Sequence, residues 1–395
     1  MKSFSHLNSA AAILASYSGN EPFHLFIKKY FSANKKFGSK DRKQITSLCY
    51  NYFRTVHAVK NITIEESILV GTFLCENKPS EFLEIIKPEW NVFIQEPFKK
   101  KLVIINEQLA VKDIFPYPDE LSKEINVVKF HESFLIQPDL FLRARPGNTQ
   151  RVTGKLSGAG LTYKLICDAC ICLPNGSKVN TILELDKEAV VQDYNSQRVG
   201  DFFKLQTTNH KLQTSIWDCC AASGGKSIMA YDKNPKIDLT VSDKREPILN
   251  NLHKRFARAG IKNYHSFIAD LESSTFIPQF AVHNSKFDLI ICDAPCSGSG
   301  TWSRTPEQLY YFKKKRIEEY SALQKKIIEN IVPYVKPGGK LLYITCSVFK
   351  KENEDIAAYA EEKFKLILNR IEVLKGYEMK ADTMFAALFT VPATL

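Results

Sequence analysis

The sequence predicts an α/β protein in which a doubly wound parallel sheet follows a helical domain and a small mixed α+β adaptor. From about residue 206, short apolar runs alternate with helical stretches, and each run ends in an acid or a cysteine. Apolar residues recur at helical spacing over about the first 125 residues, and β-like runs follow. We therefore expect a helical domain at 1–125, an adaptor at 126–205 and the sheet domain at 206–395.

The helical domain is predicted from periodicity and capping. Apolar positions between Asp41 and Val56 share one helical face, and Thr63 and Glu66 have the spacing of a capping box. Basic residues crowd near the first helices, with Tyr30, Phe31 and Phe37 between them: Lys28, Lys29, Lys35, Lys36, Lys40, Arg42 and Lys43. This cluster fits either a solvated face with buried aromatics or a surface that contacts phosphates.

The adaptor is predicted from short β-like runs. Residues 140–145 form one strand, and 163–173 and 179–185 flank a turn at Pro174–Ser177, which predicts a hairpin with Asn-Gly at its tip. Cys167, Cys170 and Cys172 are clustered, but a structural zinc site needs a second, matching pair of ligands. We therefore expect no metal site there.

The sheet domain is predicted to contain five strands, at 214–218, 237–243, 264–270, 287–293 and 340–346, with one amphipathic helix at 309–331 before the last. Ligands of such sheets bind beyond the carboxyl ends of the strands. An acid at the end of the second strand is well placed to bind ribose hydroxyls. The strand ends therefore predict a site for a nucleoside-type cofactor.

A glycine turn follows the first strand. It resembles a phosphate-binding loop, but that motif needs glycine where Cys220 stands. Ser223 and Lys226 match a Ser-x-x-Lys acylation motif whose companion elements are absent. Two interpretations remain: a turn whose backbone N–H groups reach a ligand, or glycines that allow tight packing.

Composition points to a polyanionic partner. The chain of 395 residues carries a formal net charge of +11, which favours nucleic acid. No run approaches the length of a membrane span, and the start lacks a secretory cleavage site. Ten scattered cysteines fit a reducing compartment. We therefore expect a cytoplasmic, monomeric protein with free thiols.

Several motifs carry a family resemblance. In chain order they are VQDYNSQ at 191–197, DCCAASGGKS at 218–227, DAPCSGSG at 293–300, RTPE at 304–307, TCS at 345–347, ENE at 352–354 and DTMFAAL at 382–388. Together they resemble the Sun/Fmu (RsmB-like) family of RNA 5-methylcytosine methyltransferases. The resemblance covers about 190–395, and SKDR at 39–42 looks more loosely like the family's NusB-like N-terminal domain. Ser223 stands where the family usually has proline.

The resemblance implies a class I (Rossmann-like) methyltransferase domain that uses S-adenosylmethionine. It implies Cys346 as the thiol that attacks carbon 6 of cytosine, Cys296 as the thiol that assists release, and Asp293 as the group that contacts the ring nitrogen, with Lys226 in support. Asp243 would bind the ribose and Asp270 the adenine amine. The implied cofactor-binding residues are Asp218, Cys220, Ala221, Ala222, Ser223, Gly224, Gly225, Lys226, Asp243, Arg245, Asp270 and Asp293.

A rival assignment makes Cys296 the nucleophile, because Pro295-Cys296 resembles the Pro-Cys element of DNA cytosine methyltransferases. The TCS motif and the ENE motif that follows it favour Cys346. Trp302, Arg304 and the basic run at 313–316 either line an RNA entrance or, for Trp302, pack in the interior.

The main functional hypothesis is methylation of a cytosine in ribosomal RNA, most plausibly of the small subunit (16S rRNA). The alternatives are the same reaction on transfer RNA, and a ribosome-assembly or RNA-binding factor without turnover. A non-catalytic factor is expected to have lost a catalytic cysteine or Asp293, and this chain keeps them.

Overall fold

The computed structural model describes residues 2–106, 114–203, 214–273 and 286–393. It divides the chain into two compact units. The first, here called the helical unit, comprises Met1–Asp119, Asn126–Gln137 and Thr301–Lys314; the second, here called the sheet unit, comprises Glu120–Ile125, Pro138–Gly300 and Lys315–Leu395. The boundary expected between residues 205 and 206 lies outside the described residues, and the three-domain division stays a prediction.

The helices are α1 Lys2–Ser16, α2 Phe23–Ala33, α3 Ser39–Thr55, α4 Ile64–Cys75, α5 Glu81–Ile86, α6 Pro88–Asn91, α7 Phe98–Asn106, α8 Val127–Ser133, α9 Thr149–Gly158, α10 Tyr194–Arg198, α11 Gly225–Lys233, α12 Glu246–Ala259, α13 Pro306–Tyr311, α14 Arg316–Ile331 and α15 Glu354–Phe364. The strands are β1 Leu140–Ala144, β2 Lys164–Cys167, β3 Cys170–Leu173, β4 Ala189–Val191, β5 Ser215–Asp218, β6 Asp238–Asp243, β7 His265–Ile268, β8 Phe287–Asp293, β9 Val335–Thr345, β10 Ile367–Leu374 and β11 Met384–Thr390.

The helical unit is built from α1–α8 and α13. The predicted capping box is present at the start of α4, where Glu66 N donates to Thr63 Oγ1 and Thr63 N donates to Glu66 Oε2, both at 3.1 Å. Within the basic cluster, Phe31 and Phe37 are buried, so these aromatic rings belong to the core. None of the described helices combines the length and the apolar composition needed to cross a bilayer.

The adaptor sheet corrects the predicted hairpin. Its strand order is β2-β3-β1-β4, and β2 pairs with β3 through Cys167 and Cys170, so the hairpin turns at residues 168–169. The Asn-Gly turn at 175–176 instead leads into a short 3-10 turn at Val179–Thr181. The prediction failed because a two-residue turn between cysteines carries no Gly or Asn signal, whereas 175–176 carries a strong one.

The seven-stranded sheet of the sheet unit has the order β10-β11-β9-β8-β5-β6-β7. The strands from β9 to β7 are parallel, and β11 and β10 pair antiparallel at the other edge. Helices α11 and α12 bury Ile228, Leu252 and Phe256 against this sheet. The order reverses between β5 and β8, which is where ligands bind in such sheets.

The amphipathic helix expected at 309–331 is two helices. The chain leaves α13 at Phe312, which is extended, and re-enters a helix at Arg316. The Phe312 ring packs on Trp302 with centroids 4.7 Å apart, and Tyr117 Oη donates to the Phe312 carbonyl at 3.0 Å. These contacts anchor Phe312 in the helical unit. Trp302 is fully buried, so of its two suggested roles the structure supports packing.

Candidate active site

Five strands bring the predicted residues to one edge of the seven-stranded sheet. Asp218, Asp243 and Asp293 end β5, β6 and β8, Cys346 directly follows β9, and Asp270 lies two residues after β7. These strands are neighbours and parallel. Their carboxyl ends therefore meet at the switch in strand order, where chemistry is expected.

The two predicted catalytic thiols are in contact. The Sγ atoms of Cys296 and Cys346 are 3.3 Å apart, and both residues are half-buried. The hydrogen bond to Cys346, together with burial, raises the pKa of the Cys296 thiol well above its ordinary value. The Cys296 thiol therefore favours its protonated form and can donate a hydrogen bond to Cys346 Sγ.

Gly300 holds the loop that carries Cys296 against the end of β9. Its N–H donates to the Cys346 carbonyl at 2.8 Å. A Cβ atom at this position would lie 1.9 Å from the Thr383 carbonyl oxygen. Only glycine fits there, which explains physically why the motif at 293–300 ends in this residue.

A salt bridge lies beside the thiols. Lys226 Nζ is 2.8 Å from Asp293 Oδ2, with side-chain exposures of 14% and 28%. Burial opposes the charge on Lys226, but attraction to Asp293 and a weaker attraction to Cys346 outweigh it, so the pKa of Lys226 lies above its ordinary value. The site therefore contains a permanent cation next to a carboxylate and two thiols.

A buried polar network braces both cysteine loops. The carboxylate of Glu352 accepts from Ser297 N at 2.8 Å and from Ser347 Oγ at 2.9 Å, and Gln324 Nε2 donates to it at 3.2 Å. Thr345 Oγ1 donates to Asn353 Oδ1 at 2.5 Å. Sequence reasoning used 352–354 only as a family motif. Its positioning role was missed because it depends on contacts with residues about fifty positions away.

The glycine turn is folded onto β6 and α12. Ala222 has a φ of 45° and donates its N–H to Asp243 Oδ2 at 3.1 Å, and Gly224 has a φ of 82°. Both backbones lie in the left-handed region that favours glycine. Ala221 N donates to the Ser242 carbonyl at 2.9 Å, and Gly225 begins α11.

Ser223 makes a contact that proline could not make with its side chain. Arg255 Nη1 donates to both the Ser223 carbonyl and its Oγ at 2.9 Å, while Arg255 Nε donates to Asp186 Oδ1 at 2.9 Å. Asp186 is buried and also accepts from Arg258. The departure at Ser223 thus gains one side-chain hydrogen bond, and sequence reasoning had no signal for Arg255.

Two acids support the turn from below. Asp218 is fully buried, accepts from Ser227 Oγ at 2.5 Å, and has a pKa raised by burial to about 7. Asp243 Oδ1 accepts from Arg245 N at 2.9 Å and from Arg245 Nε at 3.0 Å. The carboxylate of Asp243 thus organises the turn and stands at the strand end predicted for ribose binding.

A cavity of about 410 Å³ joins these groups. It is lined by Asp243, Arg245, Cys220 and Ala222 from the predicted cofactor set, and by Asp293 and Cys296 from the predicted catalytic set. Asp270 itself pairs with Lys244 at 3.2 Å, while its neighbours Ala269 and Leu271 line the cavity. Lys244, Pro295 and Tyr320 also line it and were not predicted.

Comparison with known proteins identifies relatives of the sheet domain. The family described as 16S rRNA methyltransferase RsmB/F matches residues 203–390. The curated protein "Ribosomal RNA small subunit methyltransferase B" of Enterobacter sp. (strain 638) is 33% identical over 170 residues, which are 43% of this chain and 37% of that protein. The protein of the same name from Salmonella arizonae is 32% identical over 163 residues, 41% of this chain and 36% of that protein. The matches thus span little more than a third of these relatives.

Solved structures match the fold over longer stretches. The crystal structure titled PH0851 aligns with a TM-score of 0.71 over 97% of this chain and 98% of its own, at 18% identity. The structure of NSun6 from Pyrococcus horikoshii with SFG aligns with a TM-score of 0.58 over 71% of this chain and 98% of its own, at 14% identity. At these identities the similarity is one of fold.

Proposed function

We propose that this chain is an RNA (cytosine-5-)-methyltransferase, because the family described as 16S rRNA methyltransferase RsmB/F matches residues 203–390. Its proposed substrate is a cytosine of small-subunit ribosomal RNA, in keeping with the names of its curated relatives. The formal net charge of +11 suits an RNA partner. The methyl donor is S-adenosylmethionine.

The residues present fit this donor. The carboxylate of Asp243 at the end of β6 meets the requirement for a ribose-binding acid, and Ala222 and Arg245 lie beside it at the cavity. Backbone turns with left-handed residues let main-chain N–H groups approach a polar ligand. When bound, S-adenosylmethionine supplies an electrophilic methyl group.

The chain's own residues account for activation of the base. Carbon 5 of cytosine is a poor nucleophile, and addition of a thiolate at carbon 6 turns the ring into an enamine that is nucleophilic at carbon 5. Cys346 makes this bond, and the displaced electron pair moves toward the ring nitrogen N3. For this step Asp293 must carry a proton, which the adjacent Lys226 ammonium can supply. Asp293 then hydrogen-bonds or protonates that nitrogen and so stabilises the charge that develops on the ring.

Product release needs the reverse of the first step. After methyl transfer, solvent water takes the proton on carbon 5, and its electron pair re-forms the double bond between carbons 5 and 6. The bond from carbon 6 to Cys346 breaks, Cys346 leaves as a thiolate, and N3 returns its proton to Asp293, which restores the aromatic ring. Cys296, in contact with the Cys346 sulfur, assists this elimination. A stacked base cannot reach Cys346, so the target cytosine is flipped out or unpaired.

The observation that carries the proposal is the contact between the two thiols beside the Lys226–Asp293 pair. The Sγ atoms are 3.3 Å apart and the salt bridge is 2.8 Å long. Because the pKa of the Cys296 thiol is raised, Cys296 suits the role of release group, and the role of nucleophile falls to Cys346.

Two substitutions test these roles. Cys346→Ala should abolish methyl transfer and leave binding of the methyl donor unchanged within about twofold, because the thiol acts on the base. Cys296→Ala should accumulate a covalent RNA–protein adduct that survives denaturing electrophoresis. Full activity of Cys346→Ala, or an adduct in that variant, would exclude Cys346 as the nucleophile.

The substrate is tested by bisulfite sequencing of total RNA from cells with and without the gene. Loss of one methylated cytosine in small-subunit ribosomal RNA is the expected result. Loss of a mark in transfer RNA instead would keep the reaction and change the substrate. No change at any site, with no transfer by the purified protein, would contradict the proposed activity.

A further inference from the structure

A cluster of three thiols lies beside the cavity and takes no part in the proposed reaction. Cys219 directly follows β5, Cys220 is the next residue, and Cys292 is in β8. Because β5 and β8 are adjacent, with Cys219 N donating to the Ile291 carbonyl at 3.0 Å, the three side chains converge. Their Sγ atoms all lie within 4.8 Å of one another.

The spacing of the sulfur atoms is close to that of a metal site. Metal–thiolate bonds of about 2.3 Å at trigonal angles place three sulfur atoms about 4 Å apart. Small side-chain rotations bring the observed cluster to this spacing. Cys219 and Cys292 are buried and Cys220 is half-buried, so an ion held there would be shielded from water on most sides.

The donor set selects the class of ion. Soft thiolates prefer Cu(I) and zinc, whereas hard cations prefer oxygen ligands. A structural zinc site takes four ligands, and this cluster offers three, all sulfur. We propose that Cys219, Cys220 and Cys292 form a binding site for a soft, thiolate-preferring metal ion, Cu(I) above all. Binding replaces the thiol protons, which are released to solvent.

The cavity provides both the entry path and a functional consequence. Cys219 and Cys220 line the same cavity as Asp243 and Arg245. A metal ion held by these two thiols would therefore compete with the methyl donor for this cavity, and each would weaken the binding of the other. This competition rests on the proposed function, because it requires the methyl donor to occupy that cavity; the metal site itself does not.

The metal site is tested with Cu(I) under anaerobic conditions. The protein carries Cys296→Ser and Cys346→Ser, because that thiol pair would also bind copper, and Cu(I) is titrated against a colorimetric chelator. We expect one tightly bound ion per chain, and about tenfold or greater loss of affinity in Cys219→Ala and in Cys292→Ala. Cys49→Ala, a buried cysteine of α3, is the matched control and should leave the affinity unchanged.

Thermal unfolding of each variant shows whether a loss of Cu(I) affinity comes from loss of a metal ligand or from loss of the fold. If Cys292→Ala does not fold, Cys219→Ser replaces it in the Cu(I) titration. Unchanged Cu(I) affinity in a folded Cys219 variant would overturn the proposal. Saturating S-adenosylmethionine should weaken Cu(I) binding, and equal affinity with and without it would overturn the competition. Calorimetry of donor binding to the metal-free protein is a separate measurement: absence of donor binding there counts against the proposed function alone.

Discussion

At the residue scale, the site separates two cysteines that look equivalent in the sequence. Each follows a strand of the seven-stranded sheet, Cys296 after β8 and Cys346 after β9, at the same edge of that sheet. The structure distinguishes them, since the hydrogen bond to Cys346 and burial raise the pKa of Cys296, while the charge of Lys226 is attracted to Cys346. Both observations agree with the proposed role of Cys346 as the nucleophile, which the TCS motif also favours.

Lys226 gives a prediction at this scale. Lys226→Met should lower the rate of methyl transfer roughly 100-fold, because the variant lacks the cation that holds Asp293 beside the thiols. Affinity for the methyl donor should change much less. Single-turnover kinetics and donor calorimetry measure the two effects. Lys233→Met, at the exposed far end of α11, is the control, and equal rate losses in both variants would contradict this role.

At the element scale, the turn before α11 is held from two directions. Asp243 accepts the Ala222 N–H from one side, and Arg255 donates to Ser223 from α12. Arg255 also pairs with Asp186 at 2.8 Å, so one guanidinium connects the segment between β3 and β4 to the glycine turn. The turn is thus positioned by groups far from it in sequence.

Arg255 and Arg258 offer a matched pair of substitutions. Both contact the carboxylate of Asp186, but only Arg255 also contacts Ser223. Arg255→Met should weaken binding of the methyl donor about tenfold, because hydrogen bonds to a charged group contribute roughly 1.5–3 kcal/mol. Arg258→Met should leave donor affinity unchanged. Calorimetry decides, and equal losses of affinity in the two variants would show that Asp186, and not Ser223, is what matters.

Among the elements, the sequence predicted correctly the strands that follow a local, repeating pattern of apolar residues. Apolar runs ending in Asp218, Asp243 and Asp293 located three strands and the edge where they meet, because the parallel-strand pattern is local and periodic. The adaptor hairpin and the single helix at 309–331 were predicted wrongly. The roles of Glu352 and Arg255 were missed, because both depend on side-chain contacts that no periodic pattern encodes.

At the scale of the whole molecule, the helical unit includes a segment from the C-terminal half of the chain, Thr301–Lys314. Glu307 of α13 is 2% exposed, and Phe23 N donates to its Oε1 at 3.3 Å. Its Oε2 atom is buried with no donor among the described residues. Burial raises the pKa of Glu307 above its ordinary value, so the ionised carboxylate destabilises the folded helical unit at neutral pH.

This acid predicts a pH dependence of stability. The pKa of Glu307 is higher in the folded protein than in the unfolded chain. The contribution of Glu307 to the free energy of unfolding is therefore fully present below the ordinary glutamate pKa of about 4.3, and it is lost as the pH rises through the folded pKa. Glu307→Gln has no charge to bury and should be more stable than the parent at pH 8, by roughly 1–3 kcal/mol. The difference should shrink toward pH 5.

Urea unfolding at the two pH values measures this difference. Glu362→Gln, at an exposed position of α15, is the control and should give the same small effect at both. A Glu307→Gln variant that is less stable than the parent at pH 8 would contradict the argument.

The position of Thr301–Lys314 in the chain bears on how the protein is made. Tyr310 packs against Phe53 with ring centroids 5.9 Å apart, and Tyr311 Oη donates to the Tyr17 carbonyl at 2.8 Å. During translation the N-terminal helices leave the ribosome long before these tyrosines are synthesised. The core of the helical unit is therefore complete only when Thr301–Lys314, which begins 164 residues after Gln137, has been synthesised. Until then the apolar surface that receives this segment stays exposed to solvent.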